Sequence, residues 1–582
     1  MDFLVLAQAF EKIEATPSRL EITAIFSELL KSAPPDISGK LVYLSQGSIA
    51  PAFEGIDLGM GEKFVIGAIA SAYGYSRQEI EKKFKNEGDL GLVAAGLAES
   101  KRQTSLSVST LTVEHVYDAF LKITKQSGAG SQAAKIKILV ELLNSASALE
   151  AKYIVRFPTG KLRMGLGDPT ILDALSRVVA NDKSKREEIE RAYNLCSDLG
   201  FVAMNIMSGR DEFLKNMKLT PLKPIRPALA ERENSAEAIF DRLGECAVDS
   251  KYDGLRMQVH KDRGIVEIYS RKLEKITAMF PDIVREVKSR PYDSLIFEGE
   301  ALAYSEEEGK YFSFQQLMQR KRKHGIGEKE GELPLIVHAF DMLYIDGADL
   351  TSFPYIDRRR KLESAFGSAT SRQGKIRPSE MIIARSADEI ERFFAHQTRA
   401  GLEGIIAKDL SMPYTAGARK FAWIKLKKSY GDMVDTIDAV IVGFFKGKGD
   451  RARLDFGGIL AGAYNKETGN IETLARIGSG FSEDEMSDMR GQLEKIIMPK
   501  KPENVVSEIV PDKWVAPEIV ITIAYDEITE SPMHTCARTE KGKGLALRFP
   551  RMAGMRADKS VFDATTSEEV RRMYALSKKG RA

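Results

Sequence analysis

The spacing of apolar residues divides the chain into three stretches with different periods. From residue 1 to about 220 they recur at helical spacing, as in Phe3, Leu6, Phe10 and Ile13, or Ile136, Ile138, Leu139, Leu142 and Leu143. This third is expected to be helical. The proline-punctuated segment Thr220-Pro221-Leu222-Lys223-Pro224-Ile225-Arg226-Pro227 cannot continue a helix and reads as an extended connector. Beyond it the period becomes two. Arg256 to His260, a turn at Asp262-Arg263-Gly264, and Ile265 to Ser270 predict a hairpin, and LIFEGEALAY, LIVHAFDMLYI, EGIIAK and FAWIKLKK predict further strands with helical patterns between them. The middle stretch is therefore α+β. A second boundary falls near residue 430, where SYGDMVDTIDAVIVGFF sets a Gly-Asp turn before an apolar strand. FGGILAGAY, a turn from Asn465 to Asn470, and IETLARIG follow as short strands. One helix is expected to start at Ser482, capped reciprocally with Glu485. Short strands plus one helix suit a small barrel.

Composition adds bounds. At 582 residues the chain is too long for one hydrophobic core. Its 86 Lys and Arg against 83 Asp and Glu give a net charge of +3, so any case for nucleic acid rests on local clusters. Cys196, Cys246 and Cys536 lie far apart, which excludes a disulfide framework or a paired-cysteine zinc module and fits a reducing, cytoplasmic setting. MDFLVLAQAFEKIEAT lacks a basic leader and reads as an amphipathic helix, and the longest apolar run, near FVIGAIASAYGY, is too short to span a bilayer.

The candidate chemistry centres on Lys251-Tyr252-Asp253-Gly254-Leu255-Arg256. An unprotonated lysine can attack phosphorus, Gly254 would allow close backbone approach to a ligand, and Arg256 offers a donor fork for phosphate oxygens. The same residues also fit an ordinary exposed turn. Glu298 and Glu300 share one strand face opposite Leu295, Phe297 and Ala301. That face fits a ribose hydroxyl or magnesium ion, or simply solvent. Phe340, on a face with His338 and Met342, could stack on a purine or fill a core. Gly404 marks a turn with Glu403 at its edge. Lys425 and Lys427 share a face opposite Ile424 and Leu426, which fits either a phosphate site or a soluble edge strand.

In this order the segments resemble the nucleotidyltransferase motifs of the ATP-dependent DNA ligases. KYDGLR is similar to the nucleophile motif, Arg271 in YSRK to the next, FEGE to the ribose or metal motif, HAFDML to the adenine-stacking motif, and EGIIAK and WIKLKK to the last two. PLKPIRPALA matches the entry to the catalytic domain, Lys161-Leu162-Arg163-Met164-Gly165 a piece of the helical DNA-binding domain, and Leu547-Arg548-Phe549-Pro550-Arg551 with Arg556-Ala557-Asp558-Lys559 the barrel motif. Nearly the whole chain is covered, in an arrangement similar to the archaeal enzymes and to the eukaryotic replicative ligase.

The resemblance implies an all-α DNA-binding domain over 1–220, an α+β adenylation domain over 221–430 and a C-terminal OB-fold β-barrel over 431–582. It implies a ligase sealing nicks in double-stranded DNA in replication, repair and recombination, using ATP and Mg2+ and releasing AMP and pyrophosphate. Lys251 would be the nucleophile, with Lys425 and Lys427 holding the α-phosphate and disfavouring a proton on Lys251. Phe340 would stack on adenine, and Asp249, Arg256, Arg271 and Arg419 would contact the nucleotide or the nick. Glu300 would hold a ribose hydroxyl or metal, and Glu403 would be the other metal ligand. Arg556, Asp558 and Lys559 would orient the pyrophosphate. The run Arg320-Lys321-Arg322-Lys323 fits a DNA-facing loop or a solvated charge run.

Two departures stand out. The position two before the nucleophile, often Glu in the family, is Asp249, and Gln103-Thr104-Ser105-Leu106 lacks the aromatic anchors of a clamp-binding segment, so weak sliding-clamp binding is expected. No membrane partner is expected, and a monomer suffices. The alternatives are an RNA ligase or capping guanylyltransferase, which the helical domain and the barrel ending argue against, and a non-catalytic DNA-binding scaffold. An NAD-dependent ligase lacks support because its cysteine zinc module is not evident.

Overall fold

The computed structural model describes all residues except Pro17, 101–109, Ala129, Lys161, Arg163, Gly165, 210–211, 306–309, 312–333, 370–373, Ala418, 428–434, 448–455, 539–541 and 580–582, and it leaves out the side chains of Ser305, Lys310, Arg419, Lys420, Asp435, Glu483, Asp484 and 576–579. The clamp-like segment at Gln103, the basic run at Arg320, most of the Lys161 motif and the Gly-Asp turn near residue 431 thus lie outside the described residues. The chain divides into two compact units, Met1–Arg226 with Leu273–Lys275, and Pro227–Lys272 with Ile276–Ala582.

The first unit is helical, as its apolar spacing predicts. Helix Phe3–Ala15 buries Phe3, Leu6, Phe10 and Ile13, and helix Ser131–Ser145 buries Leu139, Leu142 and Leu143 in one shared core. Within it the buried Arg156 guanidinium is forked onto Asp89 and also reaches Glu14 at 2.8 Å. A charge so deep is tolerated because both its sides are paired.

The second unit opens with twelve strands: β1 (Leu229–Arg232), β2 (Cys246–Lys251), β3 (Leu255–Asp262), β4 (Ile265–Ser270), β5 (Ser294–Ser305), β6 (Lys310–Tyr311), β7 (Leu335–Ile345), β8 (Ala348–Asp349), β9 (Ile376–Pro378), β10 (Met381–Ala384), β11 (Gly404–Asp409) and β12 (Arg419–Lys427). They form a five-stranded sheet in the order β1-β12-β11-β2-β10 and a seven-stranded sheet in the order β4-β3-β5-β7-β8, with β6 on β5 and β9 on β7. The predicted hairpin is β3 and β4, closed by Arg263 and Gly264, both at positive φ. Both faces of β3 are buried. Met257 and Val259 enter one core, while Gln258 and His260 are covered on the other side and bond to each other at 2.8 Å.

Burial pulls His260 from its usual value near 6.5 down to about 3, and burial, with the nearby Arg377 charge, does the same to His338. Both imidazoles therefore stay neutral in the native fold where the unfolded chain would take up protons. Stability should fall as pH drops from about 6.5 toward 3, each histidine adding up to about 1.4 kcal/mol per pH unit. The thermal midpoint followed from pH 7 to 5 should show this slope, and His260→Gln should flatten it. An unchanged slope in that variant would contradict the assignment.

The strand-rich C-terminal part is built on β13 (Asp435–Phe445), β14 (Gly458–Tyr464) and β15 (Ile471–Ile477), paired antiparallel in that order, with Val520–Tyr525 on the other edge of β13. Helix Glu483–Glu494 starts from the Ser482 and Glu485 capping box and buries Met486, Met489 and Leu493 in the sheet's core. Among the described residues, no helix is long and apolar enough to cross a membrane.

Candidate active site

β2 carries the candidate nucleophile on its last residue. Cys246 and Val248 point into a core shared with helices Ala236–Leu243 and Ala387–Arg399, so Lys251 takes the opposite face. The chain then crosses through Tyr252, Asp253 and Gly254 into β3 of the other sheet. The KYDGLR segment is thus the bridge between the two sheets, and a cavity open to solvent lies beside it. Gly254 is among the residues lining the cavity, and its lack of a side chain also serves packing. A Cβ there would lie 2.4 Å from Ala301 O and 3.0 Å from Glu300 Cγ, so the bare backbone lets the crossing pack against β5. Gly254→Ala should destabilise the fold by about 1–3 kcal/mol and push the Lys251 loop off β5. Denaturant unfolding measures the first, and nucleotide transfer to the protein the second. A variant as stable and as active as the parent would disprove the close packing.

Lys251, Arg256, Arg271, Glu300, Phe340, Glu403, Lys425 and Lys427 all line this cavity, gathered from both sheets. The Glu403 carboxylate bridges two amines, taking Lys251 Nζ on one oxygen and Lys427 Nζ on the other. Burial alone would raise its pKa, but the two ammonium charges outweigh that and hold it well below the usual carboxylate range. Gly404 turns Glu403 toward the cavity with φ +151°, and a side chain at Gly404 would strike Leu426 O of β12 at 2.1 Å. Burial instead pushes Glu300 up to about 7, against the pull of Lys251 and Arg256.

The paired glutamates of β5 have separate tasks. Glu298 is fully buried, accepting from Arg256 at 2.9 Å and from the Tyr414 hydroxyl at 2.8 Å, and only Glu300 faces the cavity. Arg256, which also donates to Ala228 O at 2.8 Å, has its guanidinium 5.4 Å from the Phe340 ring. Phe340 does not share a face with Met342. The register of β7 against β5 slips between Ala339 and Asp341, so Ala339 and Met342 enter the core while Phe340 sits at the irregularity and turns to the cavity. Trp423 stands edge-on to it at 6.0 Å.

Asp249 is not among the residues lining the cavity. Its carboxylate lies behind the cavity, accepting from Tyr355 at 2.9 Å and Ser379 at 3.0 Å and pairing with Lys408 at 2.5 Å and Arg359 at 3.3 Å. Lys408 in turn donates to Phe340 O at 3.1 Å, so this buried cluster braces the segment that presents Phe340. Arg419 opens β12, but its side chain lies outside the described residues.

The C-terminal part contributes Arg556, Asp558 and Lys559 to the same cavity, together with Asp438, Asp563 and Thr565. Arg556 is forked onto Asp558 at 2.8 and 2.7 Å, Arg271 reaches Asp563 at 3.1 Å, and Lys559 pairs with Asp438. Asp438, Asp563, Thr565 and Trp423, which also line the cavity, are not among the residues expected from the sequence. Asp438, at alternating spacing in the apolar strand DTIDAVIVGFF, is the one with a visible signal, a carboxylate where a solely structural strand would bury a hydrocarbon.

Comparison with known proteins gives three family matches along the chain: "DNA ligase N terminus" over residues 2–176, "ATP dependent DNA ligase domain" over 227–427 and "ATP dependent DNA ligase C terminal region" over 452–559. A probable DNA ligase of Dictyoglomus thermophilum is 45% identical over 582 residues, covering 100% of this chain and 98% of its own. The DNA ligase of Sulfurisphaera tokodaii is 42% identical over 99% of this chain and 98% of its own, and that of Nitrosopumilus maritimus 38% identical over 100% and 99%.

Proposed function

Because the chain belongs to the ATP-dependent DNA ligase family, we propose that it seals nicks in duplex DNA by way of an AMP carried on Lys251, serving replication, repair and recombination in the cytoplasm. The observation that carries this reading is the convergence of Lys251, Glu300, Phe340, Glu403, Lys425 and Lys427 on one cavity from two sheets. In the first transfer the Lys251 amine, held on Glu403, gives up a proton to solvent and attacks the α-phosphorus of ATP. The N–P bond forms as the bond to pyrophosphate breaks. Lys425 and Lys427 steady the α-phosphate, Phe340 stacks on the adenine, and Glu300 accepts from the ribose or joins Glu403 in holding Mg2+. Arg556, Asp558 and Lys559 orient the departing pyrophosphate.

The donor set fits that ion. Glu300 and Glu403 line the same cavity and would supply carboxylate oxygens to Mg2+, a hard ion that takes oxygen ligands. When bound it neutralises charge developing on the phosphates. In the second transfer AMP passes to the 5′-phosphate at the nick, with Arg256, Arg271 and Arg419 near the nucleotide or the nick. In the third the 3′-hydroxyl attacks and AMP leaves. The helical region over 1–220 and the barrel over 431–582 hold the duplex through phosphate contacts, which carry affinity without reading bases. The protein acts as a monomer and binds the sliding clamp weakly. Asp249 supports the base site from behind, through Lys408 and Phe340.

The experiment is to incubate the protein with Mg2+ and α-labelled ATP and then add nicked DNA. Label should attach covalently from ATP and discharge onto the nick. Label from GTP alone would favour a capping enzyme, and no label from either would leave only a DNA-binding role.

A further inference from the structure

Lys559 is buried at the C-terminal side of this cavity, and one carboxylate outside the sequence motifs, Asp438, holds it. We propose that Asp438 is the positioning residue for Lys559, a carboxylate fixed on β13 that keeps the Lys559 ammonium charged and facing the pyrophosphate half of ATP. The proposal rests on the lysyl-AMP reading above and adds to it the residue on which Lys559 depends.

Asp438 is itself rigidly held. One carboxylate oxygen accepts from the Thr522 hydroxyl at 2.6 Å and the other from Lys559, its amide donates to the Thr565 hydroxyl at 3.1 Å, and its carbonyl accepts from the Thr565 amide at 2.8 Å. The side chain also lies 3.9 Å from Arg556 Nη1. Around Lys559, Arg556 and Asp558 come from its own loop, Arg271 from the end of β4 and Lys427 from β12. Burial pulls Lys559 down to about 8, and the Arg556, Arg271 and Lys427 charges act in the same direction. Asp438, the carboxylate paired directly with Lys559, opposes them most. Lys559 is 7% exposed, so a neutral amine there would have little water to recruit a proton from.

Asp438→Asn keeps the shape and the threonine contacts and removes the charge. Formation of the labelled covalent adenylate, followed in single turnover from pH 6 to 9, should slow about fivefold at pH 8, with its alkaline fall-off about one unit earlier. Sealing of a nick supplied already adenylated, which releases no pyrophosphate, should change less than about twofold. Lys559→Arg keeps its charge at every pH and should lose the alkaline fall-off, and adding Asp438→Asn to it should no longer move the profile. A variant that slows both reactions equally, speeds adenylate formation, or leaves the pH profile in place overturns the proposal. Should Asp438→Asn not fold, an unchanged fall-off in Lys559→Arg decides against it. Absence of label in the parent protein would instead overturn the lysyl-AMP reading.

Discussion

Lys251→Ala should form no covalent adenylate, and ATP-dependent sealing should fall by on the order of 10⁴-fold or more, because neither Lys425 nor Lys427 is placed to take over. Lys427 is bound to the same Glu403 carboxylate, but from β12, and Lys425 lies two residues along the same strand. A phosphate seated for in-line attack by an amine at the end of β2 is not in line for either of them. Sealing of a nick that already carries AMP should survive in part, since that step uses the 3′-hydroxyl. Lys251→Arg separates the lysine's two roles. The guanidinium retains the charge beside Glu403 yet stays protonated, so it should hold the site together without accepting AMP. Gel analysis after incubation with α-labelled ATP, on both variants, reads the result directly. Label persisting in Lys251→Ala would move the nucleophile elsewhere and remove the basis of the mechanism.

Much of the site could be read from local pattern because strand alternation assigns faces without knowledge of the fold. Lys425 and Lys427 against Ile424 and Leu426 fall as the period of two requires, with the apolar pair in the core and the lysines in the cavity. The reading failed where the backbone departs from that period. The slip in β7 put Phe340 on the cavity side and Met342 in the core, and nothing in HAFDML announces an irregular register. Gly254 also makes room for atoms of β5, at Ala301, forty-seven residues away, a contact that the hexapeptide does not announce. Asp249 stands two residues before the nucleophile, and the sequence does not show what its carboxylate bonds to. Lys408, Arg359, Tyr355 and Ser379, its actual partners, come from three distant segments, and such pairings depend on tertiary contact that a single sequence does not encode locally. Asp563 pairs with Arg271 across the fold in the same way, while Asp438 shows in the sequence as a carboxylate in an apolar strand but not as the partner of Lys559.

Glu403→Gln should lower the rate of enzyme adenylation by roughly 10²–10³-fold while leaving ATP binding unchanged or tighter. The carboxylate holds Lys251 and Lys427 together, and at 22% side-chain exposure it is sheltered enough for its charge to matter. A neutral amide can still accept one hydrogen bond, but it cannot balance two ammonium groups or serve Mg2+ well as a ligand. The added positive charge favours a triphosphate in the ground state. The lost geometry penalises the transition state, where Lys251 must sit in line with the leaving group. Rate and affinity should therefore separate: the maximal rate falls and the half-saturating ATP concentration does not rise, while the Mg2+ requirement shifts to higher concentration. Glu403→Asp, too short to span both lysines, should fall between the parent and the amide. If ATP binding weakened with the maximal rate intact, Glu403 would be acting in nucleotide capture alone. The bridge between Lys251 and Lys427 would then have no part in the chemical step.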